Sequence, residues 1–137
     1  MREILFRGKR IFDNKWVEGL YIEKFDSNLT HTAAIAPKYP YEDSMSLELI
    51  RIDSVCQFTG CYDRLGKKIF ERDIVRCLLR VSRNHFIQIN GYIEYNEKTA
   101  SFLAYFGEDM VLQLSDSDRF EVIGNRFDNP ELMELEG

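Results

Sequence analysis

The sequence predicts a mainly β fold: antiparallel strands that form a small SH3-like barrel or a sandwich, with additional N-terminal strands and a short C-terminal helix. The first observation is that short apolar runs alternate with turn signals about every eight to twelve residues, which is typical of such folds. The second is that aromatic residues make up 13% of the chain, and their rings pack well across strands. The third is a helix-start signal close to the C-terminus.

The first fifty residues contain two strand signals and one ambiguous segment. Ile4–Phe6 and Trp16–Ile22 are predicted strands, and Gly19 within the second indicates a bulge or a close backbone approach. Thr32–Ala36 fits a strand or a helix. The whole stretch 23–48 is predicted to be a variable surface insertion.

The rest of the chain alternates strands with turns. Asp63–Gly66 and Glu71–Asp73 are predicted turns, with Asp at the first position and Gly at the last position of the former. A helix start is predicted at Asp128–Glu131, with a cap followed by proline. The predicted strands are Leu49–Ile52, Lys68–Phe70, Ile74–Val81, Ile87–Tyr95, Ser101–Phe106, Met110–Leu114 and Phe120–Gly124. We therefore predict a single domain over residues 1–137, with a barrel core at 55–124.

Composition indicates where the protein is located and whether it binds a metal ion. No apolar run is long enough to span a membrane, and charge interrupts the apolar run at the N-terminus, unlike in a signal peptide. We expect a cytoplasmic protein that does not associate with membranes. Cys56, Cys61 and Cys77 are few, odd in number and without paired spacing, so we expect reduced thiols, no metal ion and no cofactor.

No catalytic constellation can be recognised. His31 and His85 lie in polar segments and are predicted to be solvated. The carboxylate pairs Glu108/Asp109 and Asp116/Asp118 fit turns, where aspartates cap backbone amides, and the glycines begin no phosphate loop. An enzyme with a site built from loops, around residues 26–48, remains as a third hypothesis.

A basic group is the best candidate site. Seven Lys or Arg residues stand against three Asp or Glu between residues 55 and 90, a net of +4. Such a face could follow a phosphate backbone, with Phe70, Phe86 or Tyr92 stacking on bases. The alternative is a solvated outer face. The candidate nucleic-acid-binding residues are Arg64, Lys67, Lys68, Arg72, Arg76, Arg80 and Arg83.

Charge asymmetry also suggests self-association. Residues 91–137 carry three Lys or Arg against eleven Asp or Glu, a net of −8, and the whole chain has a net charge of −5. Basic and acidic regions of one chain can guide contacts between copies. The leading hypothesis is therefore a non-enzymatic binding or assembly protein that forms homo-oligomers.

Three blocks of sequence carry a resemblance to the YopX family, which is encoded by bacteriophages and prophages. They are Arg2–Lys9 with Trp16–Gly19; Gln57–Gly60, Asp63–Lys67, Ile69–Glu71 and Asp73–Val75; and Glu121–Asn125 with Asn129–Leu132. The resemblance implies a phage or prophage accessory protein with a mostly β fold in a bacterial cytoplasm. It implies no established activity, so it assigns no catalytic residues.

The chain departs from the family pattern at three positions. The family usually has glycine where this chain has Cys56 and Arg72, and asparagine where it has Leu65. Glycine gives easy access to positive φ. We therefore expect the turns at Cys56 and Arg72 to be shaped differently here.

Overall fold

The structure, a computed structural model, describes residues 3–25, 31–37, 47–107 and 109–134. Within these ranges the chain forms eleven strands and one α-helix. In chain order they are β1 (Phe6–Lys9), β2 (Trp16–Phe25), β3 (His31–Pro37), β4 (Glu48–Leu49), β5 (Cys56–Tyr62), β6 (Lys68–Phe70), β7 (Asp73–Ser82), β8 (His85–Asn96), β9 (Ser101–Phe106), β10 (Met110–Gln113), β11 (Phe120–Asn125) and α1 (Glu131–Glu134). The strands pair in antiparallel fashion, in the pairs β1–β2, β1–β5, β2–β3, β3–β4, β7–β8, β7–β11, β8–β9 and β9–β10. The predicted mainly β, antiparallel fold with a short terminal helix is confirmed, while SH3-like closure stays a prediction.

The chain divides into two compact units, residues 1–58 and 59–137. The division falls within β5, whose first residues pair with β1 and whose neighbour on the other side is β6. The organisation as a single domain stays a prediction. No helix in the described part of the chain is long and apolar enough to cross a membrane.

The first unit is a sheet in the order β4-β3-β2-β1-β5. Its core is formed by Ala33, Ile35 and Ile50. Gly19 allows β2 and β3 to approach, because a Cβ there would lie 2.0 Å from the Ala36 carbonyl oxygen, which confirms the predicted close approach. The ambiguous segment is strand β3, which pairs with β2 from Pro37 to His31. Of the predicted insertion 23–48, residues 23–25 end β2 and Glu48 begins β4, while residues 26–30 and 38–46 lie outside the described residues.

The predicted C-terminal boundary of the strand Leu49–Ile52 is wrong. β4 stops at Leu49, and Ile52–Ser54 form a short 3₁₀ helix. The Ser54 hydroxyl accepts a hydrogen bond from Lys9 N–H (2.8 Å) and donates one to the Arg51 carbonyl (2.7 Å). A short polar side chain that bonds nearby backbone in this way favours a turn over a strand.

The second unit contains a five-stranded sheet in the order β10-β9-β8-β7-β11. The alternation predicted for β7 is confirmed where it meets the core, since Val75 and Cys77 are fully buried. Val81, at a register irregularity between Arg80 and Ser82, is 53% exposed, so the end of the β7–β8 hairpin extends past the core. The buried cluster comprises Ile69, Val75, Cys77, Ile93, Ala104, Phe106, Leu114 and Phe120.

The turn expected at Cys56 is wrong, because Cys56 is buried in strand β5. Arg72 adopts a left-handed conformation, with φ of 65°, although it has a side chain, and a difference of this turn from the family's stays a prediction. Its N–H donates to the Ile93 carbonyl at 2.7 Å, and its own carbonyl accepts from Arg126 N–H at 2.9 Å. These bonds hold the turn in the shape that glycine favours.

Candidate functional site

The turn at Asp63 is fixed by a buried carboxylate. Asp63 is 5% exposed, and its Oδ1 accepts hydrogen bonds from the N–H groups of Leu65 (2.9 Å) and Lys67 (2.8 Å). Its Oδ2 accepts one from Val122 N–H of β11 (2.9 Å). Burial raises the pKa of Asp63, but the N–H donors outweigh it, and the pKa lies below its ordinary value. This turn presents Arg64, whose N–H donates to the Phe120 carbonyl at 2.9 Å.

The β7–β8 hairpin supplies the central part of the site. Directly opposed residues of an antiparallel pair share one face of the sheet. In this register Arg76 lies opposite Asn90, and Arg80 lies opposite Phe86. Leu78 and Phe86 are 52% and 51% exposed, so apolar and basic side chains alternate on this surface.

These elements border an open groove of about 520 Å³, which we call the arginine groove. Glu121 of β11 lies opposite Arg76 of β7, and Asp118 and Arg119, just before β11, also line the groove. The lining residues are Arg64, Arg76, Leu78, Leu79, Arg80, Phe86, Gln88, Asp118, Arg119 and Glu121.

The four arginines of the groove differ in their partners. Arg64 Nη2 lies 3.0 Å from the Glu121 carboxylate. Arg80 donates from Nε to the Ser82 carbonyl (3.2 Å) and from Nη2 to the Arg83 carbonyl (3.1 Å), which orients its guanidinium. No side-chain hydrogen bond or ion pair joins Arg76 or Arg119 to the described residues, so their N–H donors can serve a ligand.

The structure brings together part of the predicted basic group. Arg64, Arg76 and Arg80 line the arginine groove, whereas Lys67, Lys68, Arg72 and Arg83 do not. The guanidinium of Arg72 lies over the Phe127 ring at 5.5 Å.

Sequence reasoning missed Arg119. It follows the acidic residues Asp116 and Asp118, so the local charge pattern concealed it. No local signal in the sequence could have found it, because only the pairing of Phe120 with Cys77 of the basic strand β7 brings it to the groove.

The three aromatic residues proposed for stacking have different environments. Phe70 is 3% exposed and belongs to the interior, so that expectation is wrong, because β6 turns this ring inward. Tyr92 stacks on Tyr105 at 5.5 Å and is covered by the Arg126 guanidinium at 4.5 Å. Phe86, at the groove, has an accessible ring.

The thiols have the character of packing residues. Cys56 and Cys77 are buried, Cys61 is partly buried, and none is in a disulfide. Burial raises the pKa of the Cys61 and Cys77 thiols, which keeps them protonated and poorly nucleophilic. Within the described ranges, no group of three or more His, Cys, Asp or Glu residues is arranged to hold a metal ion.

The two histidines are placed differently from each other. His85 is exposed at the start of β8, as predicted. His31 is only partly exposed, because it stacks on Phe25 (4.4 Å between ring centroids) and its Nε2 lies 2.5 Å from the Glu23 carboxylate. Neither lines the arginine groove. The loop site proposed around 26–48 falls largely on residues outside the described ranges.

Comparisons with known proteins support the fold and the family. A search of curated proteins finds no match. Among solved structures, the chain is similar to the crystal structure of protein EF1440 from Enterococcus faecalis, with a TM-score of 0.58 and 24% identity over 97% of this chain and 99% of that one. This likeness concerns the fold. The family model described as YopX protein matches residues 5–134, nearly the whole length. The chain therefore belongs to the YopX family.

Proposed function

We propose that this protein is a non-enzymatic phage or prophage accessory protein that binds single-stranded nucleic acid through the arginine groove in the bacterial cytoplasm. The carrying observation is that Arg64, Arg76, Arg80 and Arg119 converge on one groove beside the exposed ring of Phe86. Single-stranded nucleic acid offers both a phosphate backbone for arginines and base faces for aromatic stacking.

The acidic residues of the groove favour a single strand over a duplex. Glu121 and Asp118 weaken the attraction for closely spaced duplex phosphates. Carboxylates can, however, accept hydrogen bonds from exocyclic amino groups of bases, and Gln88 can both donate and accept. Those base edges are fully accessible only when the strand is unpaired. A groove that mixes arginines, carboxylates and an exposed ring therefore fits unpaired nucleotides.

The negative net charge of the whole chain limits its affinity for nucleic acid. A net charge of −5 repels polyanions at long range, so binding depends on the local field of the groove. We expect strong salt dependence, with a slope of log K against log salt of about −2 to −3 for three or four phosphate contacts.

The test is a fluorescence-anisotropy titration of labelled single-stranded DNA and RNA, and of a matched duplex, at several salt concentrations. Arg76→Glu with Arg119→Glu should abolish binding, whereas the corresponding neutral pair (Arg→Ala at both) should reduce the salt slope by about 1.4. The matched control is Lys67→Glu with Lys68→Glu, the same charge change outside the groove, which should retain most of the affinity.

The same titrations test the preference for single strands. Phe86→Ala should weaken binding to single strands by about tenfold or more, while Phe86→Tyr keeps the ring and the affinity. Equal binding to the duplex would contradict the single-strand preference alone. If the wild-type protein binds neither single strands nor the duplex at low salt, the proposal that it binds nucleic acid is wrong.

A further inference from the structure

One row of side chains in the arginine groove sets a carboxylate beside a guanidinium. Glu121 of β11 lies directly opposite Arg76 of β7, so the two side chains share one face of the sheet, with Cβ atoms about 5 Å apart. Glu121 is also bound by Arg64, whose Nη2 donates to its Oε2 at 3.0 Å. Arg76 forms no side-chain hydrogen bond or ion pair with the part of the chain that the structure describes. A ligand can therefore meet an acceptor and a donor side by side.

The contact with Arg64 leaves most of the acceptor capacity of Glu121 available. An ionised carboxylate accepts hydrogen bonds on two oxygens, at about four lone-pair sites. Arg64 occupies one of these sites, on Oε2. The Glu121 side chain is 28% exposed, so a ligand in the groove can approach it. Arg64 thus orients a carboxylate that can still accept two further hydrogen bonds.

The apolar centre of the groove lies next to this row. Leu78, which is 52% exposed, follows Arg76 by two residues on β7 and is a diagonal neighbour of Glu121, about 7–8 Å away. Phe86 lies one row further along, opposite Arg80. A base that rests on Leu78 therefore has its edge within reach of Glu121 and Arg76, while the next base of the strand meets Phe86.

The bases differ in what their base-pairing edges offer to a carboxylate beside a guanidinium. Guanine presents two adjacent donors, N2–H₂ and N1–H, followed by the acceptor O6. Adenine and cytosine present one amino donor beside a ring-nitrogen acceptor, and thymine and uracil present one imino donor between two carbonyl acceptors. A carboxylate only accepts, so guanine alone gives it two donors, and the neighbouring guanidinium then donates to O6.

We infer that the arginine groove binds unpaired guanine selectively, with Glu121 accepting from N1–H and N2–H₂ and Arg76 donating to O6. This inference rests on the proposed function, because it names the base that the single-strand site prefers. Arg80 and Arg119 contact phosphates, which carry no sequence information. A carboxylate that only balanced the charge of its arginine neighbours would favour no base over another.

The first test uses the wild-type protein and a short oligothymidylate in which one central base is varied, so that guanine quadruplexes do not form. Fluorescence anisotropy at one low salt concentration compares guanine, adenine, cytosine and thymine at this position. Guanine should bind about tenfold more tightly than the others, as expected for one good bidentate contact. Hypoxanthine lacks the N2 amino group and should lose most of this preference. 7-Deazaguanine keeps the whole base-pairing edge and should retain it.

The second test compares two substitutions that remove the same charge from the groove. In Glu121→Gln the amide accepts one hydrogen bond but presents a donor to the second donor of guanine. It should therefore abolish the preference for guanine, although the lost charge raises the affinity for the all-thymine strand. Asp118→Asn is the matched control, because Asp118 also lines the groove. It should raise the affinity for both strands alike and leave the preference unchanged.

The outcomes separate this inference from the proposed function. A wild-type protein that binds none of the strands would contradict nucleic-acid binding altogether. Equal binding of all four bases would overturn only the selection of guanine. A preference for guanine that hypoxanthine retains, that 7-deazaguanine loses, or that persists in Glu121→Gln would also overturn the reading by Glu121.

Discussion

At the scale of single residues, Arg72 shows how the surroundings can impose a backbone conformation that the side chain disfavours. A non-glycine residue in the left-handed region carries a cost of about 1–2 kcal/mol. Arg72 tolerates it because both of its backbone polar groups are hydrogen-bonded, to Ile93 and to Arg126. The turn is therefore fixed by its neighbours and not by its own sequence.

This leads to a prediction that compares two substitutions. Arg72→Gly and Arg72→Ala both remove the contact of the guanidinium with Phe127, but only glycine relieves the strain at φ of 65°. The glycine variant should be more stable than the alanine variant by about 1 kcal/mol, as the difference in urea unfolding free energy. Equal stability, or a more stable alanine variant, would contradict a strained turn.

At the scale of elements, the connection from β11 to α1 is organised by Asn125. Its Oδ1 accepts hydrogen bonds from the N–H groups of Phe127 (3.0 Å) and Asp128 (2.9 Å), and its Nδ2 donates to the Asp128 carboxylate (3.1 Å). Gly124 is required beside it, because a Cβ there would lie 2.5 Å from Asn129 Oδ1. The last block of the family resemblance thus encodes a capped loop.

The prediction for this loop concerns Asn125, which is 8% exposed. Asn125→Ala leaves the two N–H groups without their acceptor and should cost about 1–3 kcal/mol of unfolding free energy. Asn125→Asp keeps an acceptor for the two N–H groups but places its carboxylate against that of Asp128. It should therefore also lower the unfolding free energy at neutral pH. Hydrogen exchange of the Phe127 and Asp128 amides measures the effect, and unchanged protection in Asn125→Ala would contradict it.

At the scale of the whole molecule, local patterns predicted more of the fold than of the site. The strand predicted at Ile74–Val81 matches β7, because alternation reports a half-buried strand wherever its pairs lie. Strand β5 is not among the predicted strands, because its pairing with β1 joins residues about fifty positions apart and local patterns do not report it. The groove could be predicted only in part. Arg76 and Arg80 share a predicted strand, whereas only the fold brings Arg119 beside them.

A last prediction concerns acid stability, which depends on Asp63 because its carboxylate joins the turn after β5 to β11. Its pKa is lower in the folded protein than in the unfolded chain, so its stabilisation is complete above the unfolded value, near 3.8, and is lost as the pH falls through the folded value. Asp63→Asn exchanges the charged acceptor for an amide and should cost about 2–3 kcal/mol at pH 7.

Because protonation removes the same charge from the wild type, the difference between the two proteins should shrink below about pH 4. Urea unfolding from pH 3 to pH 7 measures this difference. Asp53→Asn is the matched control: its carboxylate is 65% exposed and pairs with Arg51 at the surface, so its effect should stay below about 1 kcal/mol. A difference for Asp63→Asn that stays constant across this range would show that the buried charge is not what stabilises the turn.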